Sequence, residues 1–458
     1  MQTRASRQPS GLPEGIAKAM QAAVRFLKSS DTRELLARVG TTIQAVPPLA
    51  AVDKRALQDS YGGSQTAPCD DLLAGAGMFY ITEQRRLCLD CTSGHYQMTW
   101  GYNDAALCRA VAEAVEAGIV WDCHCNIPQT TVKLLAYRLV EAAGGGPDGN
   151  GLDTVHLGCC TGSVACAAAL KIQLVCFERR KQGGAPVIVV IDGNYHGTDM
   201  IAQRLRGMWQ RYVTNLEVAA VQPNDEADLR AVFERFGDRV AGFWAEPILM
   251  NREVIPVEAC YLQLARSLCD KVGALMCIDE IQTGFWQPQV FAFPSLGVVP
   301  DLLVAGKGMT AGFHPQAALI YKSRLDVLAQ YDAISTNGSA PLPCYVAIRC
   351  LDRIAAESDR IARVGDRYQA AMRALAEEFP GALRDARGLR HMMGLKFHRV
   401  ADALDFHRRA VAAGLWLRVH AYHEGHSTVL TKLPLVADEQ IVDFIAGKLR
   451  ELLKENRS

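Results

Sequence analysis

The sequence has no excess of charge of either sign and no long apolar run. Lysine plus arginine and aspartate plus glutamate each number 49 in 458 residues, so no global field favours nucleic acid or an anionic membrane. No uncharged apolar stretch is long enough for a membrane helix, and the N-terminus lacks the apolar core of a secretory signal. We therefore expect a soluble, cytoplasmic protein that binds neither nucleic acid nor a membrane.

Cysteine is frequent, but it is not arranged as a disulfide framework. Fifteen cysteines, an odd number, are scattered through the chain, which is typical of a reducing compartment. In an alternating strand, Cys88 and Cys91 would point to opposite faces, which is the wrong geometry for one ion. Cys123-His124-Cys125 is spaced too tightly for a structural zinc pair. The sequence therefore predicts no metal site.

Two apolar runs end in charged residues that have no packing reason to be there. Lys307 follows the run Asp301–Ala305, and Asp279 follows the run Ala274–Ile278. Each run is short and apolar enough to be a buried strand. Two neighbouring buried strands would therefore deliver an amine and a carboxylate to one place.

An amine and a carboxylate in this pairing suit the chemistry of pyridoxal 5′-phosphate. A lysine whose pKa is lowered by burial can form a Schiff base with an aldehyde, which pyridoxal phosphate offers. The ring nitrogen of this cofactor has to stay protonated, and a carboxylate is the partner that keeps it so. Lys307 is thus the predicted catalytic residue, and Asp279 is the predicted partner of the ring nitrogen. The alternative is that Lys307 extends to solvent and Asp279 caps the following turn.

The segments around these two residues resemble the class III aminotransferases, which are pyridoxal-phosphate enzymes of fold type I. The matching segments are Ile278–Phe285 and Pro300–Gly308, and the resemblance extends from about residue 78 to the C-terminus. It implies an α/β fold with a mostly parallel central sheet, helices on both faces, and a smaller α+β domain from the N- and C-terminal segments. Short apolar strands alternate with helical patterns from residue 152 to about 323, as such a sheet requires.

The same resemblance divides the chain into three parts. We expect an N-terminal arm and part of the small domain over residues 1–104, and the large cofactor-binding domain over residues 105–340. The rest of the small domain is expected over residues 341–458.

The segment Cys160-Thr161-Gly162-Ser163 lies between a short strand pattern and an apolar helix pattern. The start of a helix has unpaired backbone N–H groups and a partial positive charge. Thr161, Gly162 and Ser163 are therefore the predicted phosphate site, and a helix cap by Ser163 is the alternative. The family usually has an asparagine in place of Cys160 and an acidic residue in place of Val164, so the local match is imperfect.

Four further residues receive roles only through the resemblance. It implies that Tyr195 lies against the cofactor ring, that Glu246 helps to position Asp279 and Gln282, and that Gln282 bonds the phenolic oxygen. It also implies that Thr336 reaches the phosphate of the neighbouring subunit, which would make the enzyme at least a homodimer. The alternatives are a loop tyrosine at position 195 and an ordinary polar turn around Thr336. His196 is expected to be a structural histidine.

The implied activity is a two-step amino transfer between a primary amine and a carbonyl compound, a ping-pong mechanism in which the freed Lys307 amine moves the proton. Gln282 stands where related aminomutases have methionine, which favours transfer between two molecules. An aminomutase or epimerase on the same fold is the main alternative. Two further alternatives are a decarboxylase and a binding or regulatory protein that kept the fold but lost the catalytic activity.

An absence bears on the substrate. Many family members hold the α-carboxylate of the donor with an arginine shortly before a Pro-Pro-Leu, and the corresponding residue here is Leu430. We therefore expect a biosynthetic substrate without an α-carboxylate, such as an aminosugar or an aminocyclitol. Arg252, Arg418 and Lys432 stay open as alternative carboxylate contacts.

Overall fold

The computed structural model describes residues 11–50, 56, 71–121, 127–180, 183–420 and 425–455. Cys123-His124-Cys125 lies outside them. The described residues form two compact units. One unit holds the residues up to His95, the segment Trp100–Ala105 and the residues from Val364 onwards, and the other holds Tyr96–Thr99 and Ala106–Arg363.

The helices and strands of the described residues are numbered in chain order. The helices are α1 (Glu14–Ser29), α2 (Thr32–Arg38), the distorted turn α3 (Ser93–Tyr96), α4 (Ala105–Glu116), α5 (Thr130–Ala142), α6 (Gly162–Arg179), α7 (Met200–Leu205), α8 (Glu226–Phe236), α9 (Ala259–Val272), α10 (Pro341–Glu378), α11 (Val400–Ala412) and α12 (Glu439–Glu455). The strands are β1 (Leu72–Ala76), β2 (Phe79–Thr82), β3 (Leu87–Asp90), β4 (Thr154–Cys159), β5 (Val187–Ile191), β6 (Glu217–Val221), β7 (Val240–Ala245), β8 (Ile248–Leu249), β9 (Ile255–Pro256), β10 (Leu275–Asp279), β11 (Leu302–Ala305), β12 (Ala317–Tyr321), β13 (Leu383–Leu389), β14 (Met392–Phe397), β15 (Leu415–Trp416), β16 (Arg418–Val419) and β17 (Thr428–Lys432).

A seven-stranded sheet forms the centre of the larger unit. Its strand order is β4-β12-β11-β10-β7-β5-β6. β12 is antiparallel to both of its neighbours, and the remaining pairings are parallel. β5, β10 and β11 are buried along their whole length, which explains why they are continuous apolar runs in the sequence. Helix α6 packs on β11 and β12, and α9 packs on β7 and β10, so the predicted α/β class with a mostly parallel sheet is confirmed.

The two strands that precede the predicted lysine and aspartate are direct neighbours. β10 and β11 pair in parallel, with Asp279 opposite Val304, and the backbone N–H of Glu280 donates to the Val304 carbonyl at 2.8 Å. Both strands therefore end at the same edge of the sheet, where ligands of α/β proteins bind. The prediction that these strands are adjacent is confirmed.

The smaller unit contains two four-stranded sheets with strand orders β1-β2-β3-β15 and β13-β14-β17-β16. Its hydrophobic core joins these sheets to α1, α11 and α12, with buried side chains such as Ala23, Ile81, Phe406 and Ile445. N- and C-terminal segments thus build one α+β unit, as the resemblance implies. The division between the units falls within α10, after Arg363, and the sequence-based boundaries at residues 104 and 340 stay predictions.

No helix in the described ranges combines the length and the apolar character that crossing a membrane requires.

Candidate active site

Lys307 lies in a tight turn just beyond the end of β11. It starts a short 3-10 turn, Lys307–Thr310, with φ of +44°, a left-handed conformation that costs a non-glycine residue about 1 kcal/mol or more. The turn is fixed from outside, because Thr99 Oγ1 donates to the Gly308 carbonyl at 3.0 Å. A Cβ on Gly308 would lie 2.3 Å from the Trp286 ring. The surrounding structure thus imposes a strained backbone at the lysine.

The electrostatic surroundings of Lys307 favour its neutral amine. Burial lowers the pKa of this amine, while the negative charges of Asp279 and Glu246 act in the opposite direction. The Nζ atom lies 5.9 Å from the centroid of the Tyr195 ring. When the pKa of an amine is lowered, a larger fraction of it is unprotonated at neutral pH and can attack a carbonyl or take up a proton.

Asp279 is buried at the end of β10, and its carboxylate is surrounded by donors. Oδ1 accepts from the backbone N–H of Ile281 at 2.9 Å, and Oδ2 lies 2.7 Å from His196 Nδ1. The Cys166 thiol donates to the same Oδ2 at 3.5 Å. A carboxylate has about four acceptor positions, so these three contacts leave room for one further donor.

His196 is part of this arrangement, which the sequence did not indicate. Its ring is buried and lies against the Trp244 ring, with 4.8 Å between the ring centroids. The indole N–H of Trp244 donates to Gln173 Oε1 at 2.7 Å, and the Gln173 amide donates to the Leu275 carbonyl. The histidine that we expected to be structural therefore orients Asp279. In the sequence, the only indication that His196 belongs to the site is its position directly after Tyr195. Nothing in the sequence indicates that Cys166 or Trp244 lies near Asp279.

Glu246 and Tyr195 are joined by a hydrogen bond. The backbone N–H of Tyr195 donates to Glu246 Oε1 at 2.8 Å, and Oε2 of this buried carboxyl has no hydrogen-bond partner among the residues that the structure describes. Burial, and then the charge of Asp279, raise the pKa of Glu246 well above its usual value. On the Tyr195 ring, the Arg206 guanidinium lies 5.2 Å from the centroid.

The N-terminus of α6 has the features of an anion site. Thr161, not Ser163, is the N-cap, and its side chain accepts from the Val164 N–H at 3.5 Å. Ser163 Oγ instead accepts from the Thr198 N–H at 3.2 Å. A side chain at Gly162 would approach Ile281 to 2.5 Å, so the glycine allows the helix to start close to Ile281. A pocket of about 290 Å³ is lined by Cys160, Thr161, Gly162 and Lys307, together with six other residues.

Gln282 is buried in the turn that follows β10. The neighbouring Glu280 holds this turn in place. Its carboxyl oxygens accept from the backbone N–H groups of Ala292 and Phe293 and from the Thr283 hydroxyl, at 2.7–2.9 Å. Burial raises the pKa of Glu280 to about 7.

Glu280 should make stability depend on pH. Because its pKa rises from an ordinary 4.5 to about 7 on folding, the folded state binds this proton more tightly than the unfolded state. The contribution of Glu280 to the free energy of unfolding is complete below pH 4.5 and is lost as pH rises to 7. This change amounts to about 3 kcal/mol. Urea unfolding should therefore show that the difference in free energy of unfolding between the wild type and Glu280→Gln changes by about 3 kcal/mol between pH 4.5 and pH 7. Parallel pH profiles for the two proteins would contradict the assignment.

Thr336 is exposed on a loop that is fixed to the end of β4. The N–H groups of Ser335 and Ser339 donate to the carbonyls of Gly158 and Leu157, each at 2.8 Å. No described contact brings Thr336 to Lys307 or to the start of α6.

These residues match the requirements of pyridoxal phosphate. Asp279 has an acceptor position left for a ring N–H, the α6 N-terminus offers amides to a phosphate, and Lys307 supplies the amine. An α/β sheet with this lysine and this aspartate at the carboxyl ends of adjacent strands defines a fold type I pyridoxal-phosphate enzyme.

Comparison with known proteins also places this chain among the aminotransferases. The model of the class-III aminotransferase family matches residues 70–453. Ornithine aminotransferase from Emericella nidulans is 32% identical over 207 residues, 41% of this chain and 45% of that protein. Acetylornithine aminotransferase from Xylella fastidiosa is 32% identical over 343 residues, 71% of this chain and 79% of that protein. This chain thus spans about half the length of the Emericella relative.

A solved structure shares the fold. The ornithine aminotransferase from Toxoplasma gondii, described with partial occupancy of pyridoxal phosphate at its active site, superimposes with a TM-score of 0.74 at 21% identity. The match covers 87% of this chain and 93% of that one. The chain belongs to the class III aminotransferase family.

Proposed function

We propose that the protein is a cytoplasmic aminotransferase that moves an amino group from a primary amine to a carbonyl compound in two half-reactions. The observation that carries the proposal is the placement of Asp279 at the end of β10 and of Lys307 just beyond the end of β11, two adjacent parallel strands. The amine is buried and has a lowered pKa, and the carboxylate has three hydrogen-bond contacts and one free acceptor position.

Each predicted site residue has a proposed task in holding the cofactor. The first amides of α6, with Thr161, Gly162 and Ser163, bind the phosphate. Tyr195 lies on the ring, Asp279 accepts from the ring nitrogen, and Gln282 bonds the phenolic oxygen.

The chemistry of transfer is shared between cofactor and protein. When bound, pyridoxal phosphate supplies an aldehyde for amines and a protonated ring that takes up the electrons of a broken C–H bond. Lys307 then takes up and returns the proton, a task for which its lowered pKa suits it. Glu246 accepts a hydrogen bond from the Tyr195 backbone N–H, so the ring is held in place.

Chemical trapping tests the proposed role of Lys307. Borohydride reduction of the yellow protein, followed by digestion and mass spectrometry, should find the cofactor on the peptide that contains Lys307. Cofactor attached to a different lysine, or to none, would rule out the proposed mechanism.

We also propose that the preferred amino donor lacks an α-carboxylate, with aminosugars and aminocyclitols as the candidate class. Leu430, at the position of the family's arginine, is a buried aliphatic residue in β17. Arg252 is already engaged, because its guanidinium donates to Asp192 and to Gln222 Oε1. Ornithine and acetylornithine, named for the relatives, are the competing donors.

A half-reaction screen separates these donor classes. Each amine is mixed with the yellow protein without an acceptor, and loss of the visible absorbance band is followed. Bleaching by aminosugars at least tenfold faster than by ornithine or acetylornithine is expected, and the reverse order would reject the proposed donor class.

We further propose that the enzyme is a homodimer in which Thr336 completes the active site of the partner. Trp121, Ile127, Leu134 and Tyr137 are large apolar side chains that are 46–68% exposed. Leu134 and Tyr137 lie three residues apart in α5, so they share one helix face. A second copy of the chain is the proposed cover of this surface.

Complementation tests the sharing of Thr336. Thr336→Ala should weaken cofactor binding at least about tenfold, because a hydrogen bond to a charged phosphate is lost, whereas Asn337→Ala in the same loop should not. Lys307→Ala should be inactive. Mixed dimers of Lys307→Ala with Thr336→Ala should regain one intact site. No regain of activity in dimers shown to be mixed would mean that Thr336 serves its own subunit or neither.

A further inference from the structure

Cys166 occupies a position that the proposed mechanism has not used. It lies in the first turns of α6, is 1% exposed, and belongs to the core cluster that α6 forms with the central sheet. Its thiol reaches Asp279 Oδ2 at 3.5 Å, the same oxygen that His196 contacts. The three polar atoms lie within 4.8 Å of one another.

The thiol can act only as a donor here. Burial, and then the charge of Asp279, raise the pKa of Cys166 well above its usual value, so the sulfur keeps its hydrogen at neutral pH. An ionised carboxylate only accepts hydrogen bonds. The contact is therefore a hydrogen bond that the S–H group of Cys166 donates to Oδ2 of Asp279.

We propose that Cys166 is a positioning residue that holds the Asp279 carboxylate in place through its hydrogen bond to Oδ2, so that the proton between Asp279 and the cofactor stays on the ring nitrogen. The inference rests on the proposed function, since it assumes that Asp279 accepts from that nitrogen. In a buried site a proton can shift from a pyridinium to its carboxylate partner, because the neutral pair needs no solvation. Donors on the carboxylate oppose this shift. Ile281 occupies Oδ1, while His196 and Cys166 share Oδ2, and the thiol is the weakest of the three.

The chain provides a matched control for this role. Cys277 is also fully buried and lies in β10, two residues before Asp279. Its thiol makes no hydrogen bond to Asp279 in the part of the chain that the structure describes. Cys277→Ala therefore removes the same atoms from the same region of the core without removing a donor.

The experiment uses cofactor labelled with ¹⁵N at the ring nitrogen and solid-state NMR of the holoenzyme, which reports directly where the proton lies. Wild type and Cys277→Ala should give the ¹⁵N chemical shift of a protonated pyridine ring. In Cys166→Ala this shift should move towards the value of a neutral pyridine ring. Cys166→Ser keeps a donor and should restore the wild-type shift. Cofactor titration should show a dissociation constant about three- to tenfold higher for Cys166→Ala, as expected for one weak donor to a charge. Cys166→Val is a second donor-free variant if the alanine variant folds poorly.

The outcomes separate the two proposals. If wild type and Cys166→Ala give the same ¹⁵N shift, or if the serine variant behaves like the alanine variant, Cys166 only fills space and the inference is wrong. Equal changes in Cys166→Ala and Cys277→Ala would likewise assign the effect to packing. A wild-type protein that binds no cofactor would instead overturn the proposed function itself.

Discussion

Lys307→Ala should abolish amino transfer, lowering kcat/KM by about 10⁴-fold or more, because one substitution removes both the proposed nucleophile and the proposed proton carrier. The variant should still bind pyridoxal phosphate, since the proposed phosphate site, Tyr195 and Asp279 are intact. Borohydride should no longer fix the cofactor to the protein. Stopped-flow half-reactions and mass spectrometry measure both effects.

The control for this variant is Lys271→Ala. Lys271 is exposed in the last turn of α9 and has no proposed role, so its loss should leave turnover and cofactor attachment unchanged. Full colour and full turnover in Lys307→Ala would remove the basis of every enzymatic interpretation of this chain.

Asp279→Asn should give the second largest loss, about 10³-fold in kcat/KM, because the charge that keeps the ring nitrogen protonated disappears. The amide also places an N–H₂ group among the donors of Ile281, His196 and Cys166, which leaves a buried donor without an acceptor. A cofactor analogue methylated at the ring nitrogen carries a permanent positive charge. It should recover part of the activity of the variant, although it cannot form the hydrogen bond.

Asp301→Asn is the matched control, because Asp301 is a similarly buried aspartate that pairs with Arg266 and Lys322. Its loss should lower stability, since its pKa is lowered in the folded protein despite burial, by Arg266 first and then by other partners. The cofactor analogue methylated at the ring nitrogen should not increase the activity of Asp301→Asn. Equal rescue of both variants would show that Asp279 has no special relation to the ring nitrogen.

Much of the core fold could be predicted because its strands carry a simple pattern. β5, β10 and β11 are covered on both faces, so their sequences are apolar throughout. A charged residue at the end of such a strand, or just beyond it, interrupts the apolar pattern, and this interruption predicts Lys307 and Asp279 as site residues. The start of α6 was also predictable, since a strand, a small polar turn and a helix follow each other in the sequence.

The surroundings of Asp279 could not be predicted, because they combine side chains from distant parts of the chain. Cys166 comes from α6, His196 from the loop after β5, and Trp244 from β7. A cysteine in an alanine-rich helix and a tryptophan in an apolar strand are ordinary core residues in sequence terms. The N-cap was not predictable either, since Thr161 and Ser163 are both suitable residues and only the backbone path decides between them.

The sequence alone determined the parallel sheet, the proposed reactive pair and the proposed phosphate-binding turn, because each corresponds to a local run of residues with a definite period or ending. The tertiary structure decided which groups surround Asp279, how far burial lowers the Lys307 pKa, and which arginine is already engaged. Those properties depend on distances between segments that are far apart in the chain, and no local pattern encodes such distances.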